Sequence, residues 1–120
     1  MVKVLIVDDA LEARMLVGRF LGVKGFDVIE AGNGTEGVEA ALAHRPDVVL
    51  MDLNMPVMDG FRATREIRAH PELAGVTIVA LTAEEDAVSR EAIFEAGCDA
   101  FVRKPIDFEQ LLSKLTPGED

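Results

Sequence analysis

Asp8 and Asp9 close the apolar run Lys3-Val4-Leu5-Ile6-Val7, and Asp52 closes Val48-Val49-Leu50-Met51. Thr82 closes Val76-Thr77-Ile78-Val79-Ala80-Leu81, and Lys104 closes Phe101-Val102-Arg103 and precedes Pro105. Charged groups at such places do not serve packing, because Asp and Lys are almost never buried unless paired. Brought to one edge, the three carboxylates would repel one another, so that one takes up a proton or a cation binds between them. Hard oxygen ligands suit Mg²⁺, which takes few carboxylates together with phosphate oxygens. Lys104 is a point charge able to pair with a carboxylate at rest and with a phosphoryl group later, and Thr82 offers a hydroxyl donor. A carboxylate beside Mg²⁺ and Lys can attack phosphorus and become an aspartyl phosphate, and that chemistry needs mostly positioning and charge neutralisation. Asp52, the lone acid of its run, is the best nucleophile; the Asp8-Asp9 pair then fits the metal.

Convergence requires a particular scaffold. Val4–Val7, Val28–Ile29, Val48–Met51, Ile78–Leu81 and Ala100–Val102 are short, β-branched runs flanked by Gly, Pro, Asp or Asn, and they read as strands. At least three lack the alternation of a half-exposed sheet, which predicts burial on both faces. Amphipathic stretches lie between them; the clearest is Phe108, Leu111, Leu112 and Leu115 at i, i+3, i+4, i+7. Asn33 with Glu36, and Asp107 with Gln110, resemble capping boxes. Gly25, Gly75 and Gly97 stand where helices should stop. The βαβαβαβαβα order predicts an α/β fold, a parallel sheet with helices on both faces and right-handed crossovers. In such sheets ligands bind beyond the carboxyl ends of the strands, where Asp8, Asp9, Asp52, Thr82 and Lys104 fall.

The 120 residues fit one domain, 1–120, and 49% hydrophobic content excludes a disordered chain. No apolar stretch is long enough to cross a bilayer, so no membrane insertion is expected. A net charge of −10 repels nucleic acid and anionic membrane, which argues against direct nucleic-acid binding. One cysteine precludes an internal disulfide and fits a cytoplasmic setting.

Four motifs in order, Val7-Asp8-Asp9, Met51-Asp52-Leu53-Asn54-Met55-Pro56-Val57-Met58-Asp59-Gly60, Leu81-Thr82-Ala83 and Lys104-Pro105, resemble the receiver domain of two-component response regulators along the whole chain. The resemblance implies a flavodoxin-like (βα)5 fold, a doubly wound five-stranded parallel sheet in the order 2-1-3-4-5. It implies Asp52 as phosphoacceptor. Asp9, Asp52 and the Asn54 carbonyl would ligate Mg²⁺, with Asp8 acting mainly through water. Lys104, Thr82 and the Ala83 backbone N–H would hold phosphoryl oxygens, and Pro105 would follow a cis bond. The donor would be a phosphohistidine on a sensor histidine kinase or histidine phosphotransfer protein, and the output a downstream protein target. Phe101 matches the switch aromatic: attraction of Thr82 to the phosphoryl group would admit the ring and change the face of the fourth helix, fifth strand and fifth helix. Relatives often carry Tyr there, and Phe keeps only the packing. Asn54 and Glu84, each two beyond a site residue, resemble the pair of fast-turnover, chemotaxis-type regulators.

The plainer readings are these. Asp8 and Asp9 serve as helix caps; Asp59-Gly60 is a turn and cap; His44 and His70 are surface residues; Cys98 is a small packed residue. Met15 and Met51 read as core, Met55 and Met58 as loop residues able to touch a partner. Arg14, Arg19, Arg62, Arg65 and Arg68 read as solvated helix faces. Competing functions are an aspartyl-phosphate phosphatase, a flavodoxin-like electron carrier and a receiver used only for docking. The phosphatase wants an acid where Asn54 stands. The electron carrier wants a Ser/Thr/Gly-rich phosphate loop where Asp8-Asp9-Ala10-Leu11-Glu12 stands, and the chain has no Trp or Tyr to stack on a flavin. The favoured reading is a free-standing switch, monomeric or weakly dimeric, that catalyses only its own phosphorylation and dephosphorylation.

Overall fold

Each apolar run becomes a strand. In the computed structural model, β1 (Lys3–Val7), β2 (Asp27–Ala31), β3 (Val48–Asp52), β4 (Thr77–Ala83) and β5 (Ala100–Lys104) form one parallel sheet in the order β2-β1-β3-β4-β5. The expected five-stranded (βα)5 order is therefore the observed one. The helices are α1 (Leu11–Val23), α2 (Gly34–His44), α3 (Gly60–Arg68), α4 (Arg90–Ala96) and α5 (Phe108–Leu115), with a 3-10 turn at Pro71–Leu73. The structure describes residues 2–55, 59–83 and 90–115.

Alternation along the strands builds two cores. Leu5, Val7, Val49, Met51, Ile78 and Ala80 face α2, α3 and α4, where Val38, Ala41, Ala63, Ile67 and Ile93 meet them. Val4, Ile6, Val48, Leu50, Val79, Leu81 and Val102 face Val17 and Leu21 of α1 and Leu111 and Leu115 of α5. Full burial of an aliphatic side chain stabilises by about 1.5–3 kcal/mol, and β3 is buried along its whole length. The edge strand β2 is only partly covered. That is why its apolar run is short.

The helix ends follow local chemistry. Asn33 Oδ1 accepts the Glu36 N–H at 2.8 Å, and Glu36 Oε1 reaches the Gly32 N–H at 3.0 Å, one residue before the expected partner. Asp107 caps α5 through the Glu109 and Gln110 N–H groups. Asp59 caps α3, accepting the Arg62 N–H at 2.8 Å. Gly60 is forced by packing, since a Cβ there would lie 2.7 Å from Leu53 Cα. The third helix ends at Arg68 rather than running to Gly75, because Pro71 lacks the N–H a continuing helix requires. Gly97 ends α4 with φ +116°.

Two sequence readings change here. Met15 is 40% exposed on α1 rather than core. Arg68 is a tether rather than a solvated residue: Nε donates to the Gly97 carbonyl at 2.8 Å, Nη1 to the Val76 carbonyl at 2.8 Å, and Nη2 pairs with Asp99 at 2.8 Å. One guanidinium thus joins α3 to the segments entering β4 and β5. Replacing Arg68 with Met removes the side-chain donor from the Gly97 and Val76 carbonyls and the ion pair from Asp99, which keeps the Ile78 N–H. We expect a loss of about 2–4 kcal/mol in urea unfolding; a change below about 0.5 kcal/mol would remove the tether from the account.

Candidate functional site

The parallel register brings the strand ends level. Val7 pairs with Met51, Asp52 with Leu81, and Ala83 with Lys104. Residues directly opposite on neighbouring strands share a face of the sheet. Asp52 and Lys104 therefore extend the α1/α5 face, whereas Thr82 and its partner Arg103 extend the α2/α3/α4 face.

The acids do converge. Asp8, Asp9 and Asp52 each offer a carboxylate oxygen, all within 4.8 Å of one another. Asp8 and Asp52 are buried, and Asp9 is exposed. Lys104 Nζ lies 3.4 Å from Asp52 Oδ1 and 3.8 Å from Asp8 Oδ2. The Asn54 N–H donates to Asp52 Oδ1 at 3.0 Å. The Ala10 N–H donates to Asp8 Oδ1 at 2.9 Å, a turn that precedes α1; no side chain caps that helix, so the acids are not merely caps. The Lys104–Pro105 bond is cis, as expected.

Burial pushes the Asp52 carboxyl from 3.8 up to about 6. The Asn54 N–H and Lys104 oppose that rise, while the nearby Asp8 carboxyl adds to it. Such a group is the mark of a site built for charge it does not itself neutralise. Three carboxylates and one ammonium leave two formal negative charges, which a divalent cation would balance. The donor set is all oxygen, with one ligand group solvent-facing, and it fits Mg²⁺.

Thr82 is buried, and its hydroxyl makes a 3.5 Å contact to the Ala83 carbonyl, at the weak limit of a hydrogen bond. Phe101 pairs with Ala80, so its ring shares the Thr82 face one diagonal step away. The ring is half-buried and meets Phe94 edge-on at 6.2 Å between centroids. Arg90 and Arg103 place their guanidinium carbons 5.6 and 5.3 Å from its centroid. Phe94 is exposed, and Phe61 is half-buried against the core. Met55 is buried rather than loop-exposed. Glu84 and Met58 lie outside the described residues. Cys98 is buried beside Thr64, and burial raises its thiol pKa, as suits a packed residue.

Sequence reasoning missed Arg14. Its Nη1 donates to the Asp8 carbonyl and its Nε pairs with Glu30, both at 2.8 Å. The strand order alone places β2 beside β1 but does not show that Glu30 and the Asp8 carbonyl meet the Arg14 guanidinium.

The chain belongs to the response regulator receiver domain family of two-component signalling, whose family model matches residues 4–116. It is 33% identical over 115 residues to Protein PilH of Pseudomonas aeruginosa, covering 96% of this chain and 95% of that protein. Chemotaxis protein CheY4 of Vibrio cholerae superposes with a TM-score of 0.89 at 34% identity, covering 96% of each chain. The receiver domain of sensor histidine kinase PA1611 of P. aeruginosa, solved with a magnesium ion coordinated in its active-site cleft, gives 0.86 at 34%, covering 94% and 93%. A chain from the Saccharomyces cerevisiae complex of phosphotransfer protein Ypd1 with the receiver domain of Ssk1 gives 0.86 at 30%, covering 96% and 86%.

The raised Asp52 pKa has a definite sign. Protonation binds more tightly in the folded state than in the unfolded one, so its contribution to stability is complete below pH 3.8 and is lost as pH rises through 6. Asp52→Asn should raise the metal-free thermal midpoint at pH 7.5 by several degrees and change it little at pH 4. Equal shifts at both pH values in chelator would contradict the assignment.

Proposed function

We propose that this domain is a phosphorylation-controlled switch that accepts a phosphoryl group on Asp52 with Mg²⁺. The observation carrying this reading is the convergence of Asp8, Asp9 and Asp52 within 4.8 Å, with the Lys104 ammonium against two of them. At neutral pH most Asp52 is ionised despite its raised pKa. One carboxylate oxygen forms an O–P bond to the donor's phosphorus as the N–P bond of a phosphohistidine breaks. The electron pair returns to the imidazole nitrogen, which takes a proton. Mg²⁺, held by Asp9, Asp52 and the Asn54 carbonyl with Asp8 acting through water, would supply charge neutralisation for the phosphoryl oxygens. Lys104 pairs with one oxygen of the transferred group, and the Thr82 hydroxyl and Ala83 N–H take others. The donor is a sensor histidine kinase or phosphotransfer protein in the cytoplasm, and the output is a protein target. The chain catalyses only its own phosphorylation and dephosphorylation.

Signal output follows as a shift in population. The weakly held Thr82 hydroxyl moves toward the phosphoryl group, and the space beside it favours a more buried Phe101 ring. The face formed by α4, β5 and α5 changes accordingly. Asn54 and Glu84 occupy the sequence positions that in the family border the route of hydrolytic water, and on that resemblance the phosphoryl group is short-lived.

Intact-mass measurement after incubation with acetyl phosphate and Mg²⁺ should show one added phosphoryl group, absent from Asp52→Ala and absent under chelation. No adduct from acetyl phosphate or from a phosphohistidine protein would sink the reading. Replacing both Asn54 and Glu84 should slow phosphate release by about tenfold or more, on the scale of lost water positioning; unchanged release would remove the lifetime claim.

A further inference from the structure

We infer that Arg14 is a positioning residue for the metal-binding acids, acting with Glu30 of β2; this rests on the Mg²⁺ reading of the site. The peptide between Asp8 and Asp9 carries both acids that precede α1. The Asp8 backbone is fixed on both sides of its Cα, and only the Arg14 contact falls on the Asp8–Asp9 peptide itself. The Asp8 N–H donates to the Ala31 carbonyl of β2 at 3.2 Å, and the Asp8 carbonyl accepts from Arg14 Nη1 at 2.8 Å. Arg14 is in turn held by Glu30 Oε1 at 2.8 Å, and its side chain is only 16% exposed. The fit is close, since a Cβ on Gly32 would stand 3.2 Å from Nη1. A guanidinium presents several donors in a rigid plane, so one side chain can serve the carbonyl and the carboxylate together.

Position and charge make opposite demands, which separates this role from a general field effect. Arg14 is a cation near a cation site, so Coulomb repulsion alone makes Mg²⁺ binding tighter when Arg14 is lost. Tethering of the Asp8–Asp9 peptide makes binding weaker when Arg14 is lost. Groups that orient metal ligands typically contribute about 10–100-fold in affinity, more than a partly screened charge removes.

Amide-shift NMR titration with Mg²⁺, and hydrogen exchange in chelator, test this on Arg14→Met, Arg14→Lys and Arg62→Met. Among the described residues the Arg62 side chain, on the exposed side of α3, pairs with Glu66 and touches none of the site acids, so Arg62→Met should match the wild-type protein. Arg14→Met should weaken Mg²⁺ binding about tenfold or more and speed exchange at Ala10, while Val49 in β3 stays protected. Arg14→Lys keeps the charge but cannot bridge both partners, and should lose several-fold; it carries the test if Arg14→Met does not fold. Mg²⁺ binding by the Arg14 variants equal to or tighter than wild type overturns the inference. If the wild-type protein binds no Mg²⁺, the reading of the site fails instead. The metal-free exchange then still decides the tether: faster exchange at Ala10 supports it and unchanged exchange overturns it.

Discussion

Like charges crowded at the end of a parallel sheet are the constraint on which the rest of the molecule depends. Carboxylate oxygens of Asp8, Asp9 and Asp52 lie within 4.8 Å of one another, and for the buried pair Asp8 and Asp52 the repulsion at such a separation is about 3 kcal/mol at an effective dielectric of 20. Lys104 lies against both, and the N–H groups of Ala10 and Asn54 each meet one carboxylate oxygen. Burial of Asp52, with repulsion from Asp8 adding to it, raises its pKa. The cores supply the stability that holds this arrangement: β1, β3 and β4 are almost wholly buried, so their ends cannot splay to relieve the charge.

The sheet also divides the site. Asp52 and Lys104 lie toward α1 and α5, while Thr82, Arg103 and Phe101 lie toward α2, α3 and α4. A group bonded to Asp52 would touch Thr82 only at the sheet's edge, where the two faces meet. Under the proposed function, that edge is where a local charge event would become a packing event on the opposite face. In the proposed switch Phe101, lacking a hydroxyl, would respond through packing; the guanidinium groups of Arg90 and Arg103 lie beside its ring.

Much of this was legible in the sequence because strand burial and strand-end chemistry leave strong local marks. The runs ending in Asp8, Asp52 and Lys104 located three strand ends and three site members at once, and the alternation of strands with helices implied a parallel sheet, whose order 2-1-3-4-5 came from the family resemblance. What was not legible depends on contacts between segments distant in the chain. Arg14 looks like a helix-surface residue until Glu30 is known to lie beside it, and Arg68 likewise until Gly97, Val76 and Asp99 surround it. Met15 has core-like chemistry, yet its helical position turns it outward, and Met55 is covered although it follows the strand. The third helix stops early because Pro71 overrides the later glycine as a signal.

The most direct test of a shared charge pocket coupled to Phe101 is backbone amide NMR during stepwise addition of Mg²⁺ and then beryllofluoride, a phosphoryl mimic. The account predicts that Mg²⁺ alone moves Asp9, Ala10 and Asn54. Beryllofluoride should then move Ala83 and Lys104 and carry the change to Phe101 and Phe94. Shifts that never reach Ala83, or that leave Asp9 and Asn54 in place, would contradict it.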